Sequence, residues 1–159
     1  MEFSTNGSST KVAGNKSFGE VIQFSVFFGD QIGFQNPIFR IFHATDVSVL
    51  AFSFLENFDG SIMRFIVNYP SIAKNILSEK NIQFSTNSIV TVEVNSVQDV
   101  SKISNIMFAA EIRTHYMYPF LSRPNGKMGI AIQTENNGFT SDILSHAGIR
   151  IISQEDIGR

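Results

Sequence analysis

Glu56-Asn57-Phe58-Asp59-Gly60-Ser61 and Ser122-Arg123-Pro124-Asn125-Gly126-Lys127 each set an Asp-Gly or Asn-Gly pair between two apolar runs. Such a pair supplies the positive φ angles of a tight hairpin, so each stretch marks the joint between two antiparallel strands. Aligning the chain on these turns places equivalent positions about 65 to 67 residues apart, the length of a small βαββαβ unit. Ile38, Ile41 and Phe42 then match Ile103, Ile106 and Met107, and Ile76, Leu77 and Ile82 match Ile143, Leu144 and Ile149. Residues 22–84 and 89–153 therefore read as two copies of strand, helix, strand, turn, strand, helix, strand. The expected division is an N-terminal tail over residues 1–19, a first module over 20–86 and a second over 87–159.

In the first copy, Ile22 to Phe28 alternates as a strand and runs into the loop Gly29-Asp30-Gln31-Ile32-Gly33. Asn36 is placed to cap a short helix whose first turn accepts Pro37. Val47 to Leu55 and Ser61 to Val67 form the hairpin. Ser71 is placed to cap a second helix that runs to Lys80, and Ile82, Phe84 and Ser85 close the sheet. In the second copy, Ile89 to Val94 is the opening strand, and Asp99 is a candidate cap for a helix carrying Val100, Ile103, Ile106, Met107 and Ala110. Ile112 to Leu121 pairs with Lys127 to Gln133. A last helix over Phe139 to Ala147 stops at Gly148, and Ile149 to Ser153 is the final strand.

Right-handed crossovers put both helices of a copy on one face of a four-stranded antiparallel sheet. The opposite face then needs cover for residues such as Phe24, Phe52 and Phe54, from the sister copy, another subunit or a ligand. A unit of about 65 residues buries only about 60% of its extended-chain surface, so the copies are expected to pack together or under a second chain.

Composition narrows the function classes. The chain has 159 residues, 43% of them apolar, with a formal charge of −2 and no cysteine. That charge leaves no electrostatic footprint for nucleic acid or an anionic membrane. Without cysteine there are no disulfides and no thiolate metal ligands, which fits a reducing cytoplasm. No run approaches the roughly 18 apolar residues of a membrane span. Residues 1–19 lack the apolar core of a signal peptide, so the glycosylation patterns at Asn6 and Asn15 carry no weight.

Catalytic motifs are missing. His43, His115 and His146 sit on separate elements without metal-ligand spacing, and no Gly-Lys-Ser/Thr follows Gly29 and Gly33. No serine lies in a Gly-x-Ser-x-Gly elbow, and the acidic residues are scattered. The reading is a chain with no enzyme activity, no cofactor and no metal.

Asp30-Gln31-Ile32-Gly33, the aromatic strand His115-Tyr116-Met117-Tyr118-Pro119-Phe120, and the closing run Ile143 to Ile152 resemble the ACT domain, a ferredoxin-like βαββαβ module that senses amino acids, here in tandem. The resemblance covers nearly the whole chain after residue 20. It departs from the family's pattern at Ile32, where a proline is usual, and at Asn95-Ser96-Val97-Gln98-Asp99, which has no glycine.

The resemblance implies an α+β fold of two such modules and a ligand site at the first loop. Backbone N–H groups at a helix start attract a carboxylate, and glycine permits its close approach. Asp30 would then receive the ligand's ammonium. Because such sites lie between two modules, Asn95, His115, Tyr116 and Tyr118 are the residues expected to complete this one, with Gln31 and Ile32 in its loop. The bland alternative makes Gly33 a turn residue, Asp30 a solvated acid and the tyrosines sheet packing. The expected function is amino-acid binding in a regulatory protein that works as a homodimer or through a regulated enzyme or other protein, in the cytoplasm, with neither nucleic acid nor membrane as partner. The alternatives are a single-stranded RNA-binding module, which shares the βαββαβ order, and a structural assembly domain with no ligand.

Overall fold

Alternation of burial along Val21–Phe28 makes strand β1 two-faced, with Phe24, Val26 and Phe28 toward the helices and Gln23 and Phe27 on the opposite side. The computed structural model describes residues 20–29, 35–122 and 126–158. Following β1 are helix α1 (Gln35–His43), the hairpin strands β2 (Val49–Asn57) and β3 (Gly60–Val67), and helix α2 (Pro70–Glu79). The second copy runs β4 (Ser85–Val94), α3 (Val97–Ala109), β5 (Thr114–Pro119), β6 (Met128–Thr134) and α4 (Asn137–His146), and a one-turn helix α5 (Gln154–Ile157) follows.

The strands form one antiparallel sheet in the order β2-β3-β1-β4-β6-β5. The α+β class and the paired βαββαβ modules expected from the sequence are what the chain adopts. Strand β4 does double duty. Its first half, from Ser85 to Ile89, pairs with β1 and closes the first copy, and its second half, from Val90 to Val94, pairs with β6 and opens the second. The expected boundary between residues 86 and 87 thus falls inside this strand.

Equivalent helix positions are buried alike in the two copies. Ile38 and Phe42 of α1 and Ala73 and Leu77 of α2 cover Phe24, Phe65 and Met63, while Ile103 and Met107 of α3 and Leu144 of α4 cover Val92 and Ile132. Both α2 and α4 end in the same way, with a residue at positive φ, Asn81 (54°) and Gly148 (80°), and α3 does so at Glu111 (55°). The N–H of that residue and of the next turn back onto the last helical carbonyls, as in Ile82 to Leu77 (2.9 Å), Ile112 to Met107 (2.9 Å) and Ile149 to Leu144 (3.0 Å).

The helix-free faces of the two copies cover one another. Val21, Ala51 and Ile66 of the first copy and Tyr118, Ala131 and Ile152 of the second form one apolar cluster. At one corner the outer strands meet, through a bridge between Ala51 and Phe120 and a 2.7 Å bond from the Leu121 N–H to the Leu50 carbonyl.

Several local expectations shift. Phe24 stacks on Phe65 at 5.3 Å and Phe52 meets Phe39 of α1 edge-on at 5.2 Å, so these rings belong to the helix side of the sheet. Asn36 falls inside α1, α2 begins at Pro70 after Tyr69, and Asp99 lies in the first turn of α3 after the cap Ser96. The final strand is reduced to a bridge between Val92 and Ile151, and the chain then enters α5 through a capping box between Ser153 and Asp156. Gln154 fastens this end to the first copy. Its Oε1 accepts from the Ile22 N–H (3.0 Å), and its Nε2 donates to the carbonyls of Val67 (3.0 Å) and Asn68 (3.3 Å). Among the described residues, no helix is long and apolar enough to cross a membrane.

Candidate functional site

Strand β1 ends on the buried Phe28, and helix α1 begins at Gln35. Between these elements lies a cleft of about 180 Å³, lined by Val26, Phe27, Phe28, Pro37 and Ile38 on one side and Asn81, Ile82 and Gln83 on the other. Its far wall is set by the helix stop at Asn81, whose left-handed backbone throws Ile82 back over the sheet. The cleft is mainly apolar, with Asn81 and Gln83 as the polar residues of its lining, a composition suited to a small organic ligand. Asp30, Gln31, Ile32 and Gly33, the expected binding loop, lie outside the described residues. In sequence they join the two elements that form the cleft's β1 and α1 wall.

The matching place in the second copy is built differently. Only Asn95 and Ser96 separate β4 from α3, and the Asp99 carboxylate accepts the Asn95 N–H at 2.8 Å. That N–H holds the Asp99 carboxyl below its ordinary range, aided by the Asn95 side chain, the Ser96 N–H and the Lys102 charge against a desolvation cost. The opening turn of α3 therefore already carries an anion of its own.

Tyr116 and Tyr118 are brought together, with ring centroids 6.3 Å apart, but they converge on the middle of β1. Tyr118 donates to Gln23 Oε1 at 2.6 Å, while Gln23 Nε2 donates to the Tyr116 hydroxyl (2.8 Å) and to Asn87 Oδ1 (3.0 Å). Asn87 continues the chain to Gln133 (2.9 Å). Gln23 is three residues before Val26, the nearest β1 residue of the cleft, roughly 10 Å along the strand and on the opposite face of the sheet. Burial pushes the Tyr118 phenol far above its usual value, with Tyr116 adding to the shift and Arg64 opposing it. The Arg64 guanidinium lies over the Tyr116 ring, 4.1 Å from its centre.

His115 is exposed, at a register shift between Thr114 and Tyr116. Asn95 is exposed too, beyond the β4 end that pairs with Met128, whereas Tyr116 pairs with Gln133 at the other end of β6. The structure thus keeps Asn95 apart from the tyrosines. Gln23, fully buried, is the residue sequence reading missed, and its polar partner Asn87 sits in a Ser/Thr/Asn run between the expected strands. Glu93, also missed, is nearly buried between Lys127 (3.1 Å) and Arg150 (3.4 Å), and Arg150 reaches Asp156 at 3.6 Å. Among the described residues, no cluster of His, Asp or Glu is arranged to hold a metal ion.

Comparison with known proteins agrees with this architecture. The ACT domain pair family matches residues 20–159. A crystal structure of a Bacteroides thetaiotaomicron protein is similar over 88% of this chain and 96% of its own, with a TM-score of 0.77 at 20% identity. The ligand-free regulatory subunit of aspartate kinase from Thermus thermophilus is similar over 82% of this chain and 94% of its own, with a TM-score of 0.54 at 12% identity. The corresponding regulatory subunit from Thermus flavus gives 0.52 at 12% identity over the same shares. No curated protein sequence is significantly similar to it. With two copies of the βαββαβ unit sharing one sheet and the family matching almost the entire chain, the protein belongs to the ACT domain pair family.

Proposed function

We propose that the protein is a non-catalytic regulatory protein that binds an amino acid at the bend between β1 and α1. Binding there biases an interface with a second copy or with a regulated partner protein, through the ligand's unequal affinity for two arrangements. A cytoplasmic setting, in keeping with the absence of cysteine, is part of the same reading.

The observation that carries it is the cleft at that bend in an ACT domain pair. About 180 Å³ is small beside the roughly 300 Å³ and upward of drug-sized pockets, and suits a ligand of amino-acid size. Apolar walls would take the ligand's side chain, and the adjoining loop residues Asp30 and Gly33 would take its ammonium and carboxylate. Regulatory subunits of aspartate kinase with a similar fold lend support, since those proteins too place this fold in a regulatory chain. Single-stranded RNA has less to hold, because Tyr118, a natural stacking residue, is buried between the copies.

The test is a thermal-shift screen of the natural amino acids. At a hundredfold excess over the dissociation constant, the true ligand stabilises by about 2.7 kcal/mol, several degrees for a chain of this size. The Gly33→Val variant, with a side chain in the loop, is expected to lose the shift. No response to any amino acid would favour a structural assembly domain instead.

A further inference from the structure

The helix-free face of the first copy carries a polar row that the amino-acid reading does not use. Ser53 pairs with Arg64, Arg64 with Ser25 and Ser25 with Ser85, so one line of hydroxyls and a guanidinium crosses four strands on a single face. Tyr116 of the second copy lies under the guanidinium and stops the row on its inner side. Among the described residues, Arg64 has no carboxylate partner, and the Ser25 and Ser53 hydroxyls make no hydrogen bond. The Tyr116 oxygen accepts from Gln23, and among the described residues its own proton has no acceptor. The row and its inner edge thus offer donors to which no acidic side chain among the described residues is bonded.

Two residues outward on the same strands, Leu55 pairs with Ile62 and Ile62 with Phe27. Phe27 is 61% exposed and Leu55 51%, so this second row is an apolar surface open to solvent. The rows are about 7 Å apart, two residues along a strand. No acidic side chain belongs to either row.

We propose that this face binds a small carboxylate with an apolar body. The carboxylate is held by Arg64, Ser25 and Ser53, and the body lies across Phe27 and Leu55. A planar guanidinium accepts a carboxylate through two parallel bonds, and its stacking on Tyr116 fixes the plane in advance. With no acidic side chain in either row to take an ammonium, the face selects plain or 2-oxo carboxylic acids over amino acids. Phe27 also lines the cleft at the β1–α1 bend, so the two sites adjoin and differ in the groups that would hold the carboxylate.

Calorimetric titration of the full chain with 3-phenylpropanoate, phenylalanine and acetate tests this, with Arg64→Met and Arg64→Lys as variants. Methionine keeps a stem over Tyr116, and Arg64 holds no ion pair whose loss would unfold the chain. The expected result is saturable binding of 3-phenylpropanoate, stronger than that of the other two, weakened about tenfold to a hundredfold in Arg64→Met and less in Arg64→Lys. Tyr116 ring resonances of the unaltered protein should move during the same titration, a readout that needs no variant. Equal affinity for acetate, Arg64-dependent binding that prefers phenylalanine, binding indifferent to Arg64→Met, unmoved Tyr116 resonances or no binding at all would each overturn it. Loss of the amino-acid response in Gly33→Val would leave this result untouched, so the two sites fail separately.

Discussion

Tyr118→Phe removes one oxygen and keeps the ring, so it isolates the polar tie between the two copies. The lost hydroxyl donates at 2.6 Å to Gln23 Oε1, and Gln23 is fully buried. Its acceptor would be left in the interface without a donor or room for bulk water. An orphaned buried polar group costs about 1 to 3 kcal/mol, so the variant should unfold at correspondingly lower urea, and its melting temperature should fall by about 2 to 10 °C. A pH arm sharpens the test. The folded phenol titrates well above its unfolded value of about 10, so above pH ~10 the unfolded chain releases a proton that the folded chain keeps. Stability of the parent protein should therefore decline above that pH, while Tyr118→Phe should lack this part of the decline. Urea titrations of both proteins between pH 7 and 11 supply the data. A cost below about 0.5 kcal/mol at pH 7, or parallel alkaline slopes, would refute the claim that Tyr118 and Gln23 meet inside the chain.

Other substitutions probe separate joints. Gly60 has φ of 128°, and a Cβ there would stand 2.4 Å from the Phe28 carbonyl oxygen, so Gly60→Ala should destabilise by about 2 kcal/mol or more by urea unfolding. Glu111 pays for a left-handed backbone without being glycine, and Glu111→Gly should gain up to about 1 kcal/mol once the extra freedom of the unfolded glycine is set against it. Gln154→Leu strips partners from the Ile22 N–H and the Val67 carbonyl, which should cost about 1 to 3 kcal/mol and speed amide exchange at Ile22.

The duplicated unit was legible because its signals are local. Asp59-Gly60 and Asn125-Gly126 demand turns, and both glycines adopt positive φ. Spacing of Ile38 with Phe42 and of Ile103 with Met107 fixes the buried helix faces. What stayed hidden depends on partners distant in sequence. The closing strand was expected over Ile82, Phe84 and Ser85 because Ile82 and Phe84 are apolar, yet the polar residues Ser85 to Ser88 pair with β1 and Asn87 bonds to Gln23 and Gln133 across the sheet. The sides taken by Phe24 and Phe52 follow from strand pairing, which alternation alone leaves open. Ser153-Gln154-Glu155-Asp156 did carry a helix-start signal, a serine with an acid three residues on, though the apolar run before it favoured continuing the strand. At the candidate site, the sequence pointed to the bend after β1, but which tyrosines face which strand is a matter of how the copies fold onto one another.

The proposed amino-acid sensor has one binding bend per chain, because at the second the Asp99 carboxylate already accepts the Asn95 N–H. Isothermal titration of the full chain with the amino acid that gives the largest thermal shift measures this directly. One ligand per chain, abolished by Gly33→Val and retained in Asp99→Asn, is the predicted result. Two equivalent ligands per chain, or none for any amino acid, would contradict it.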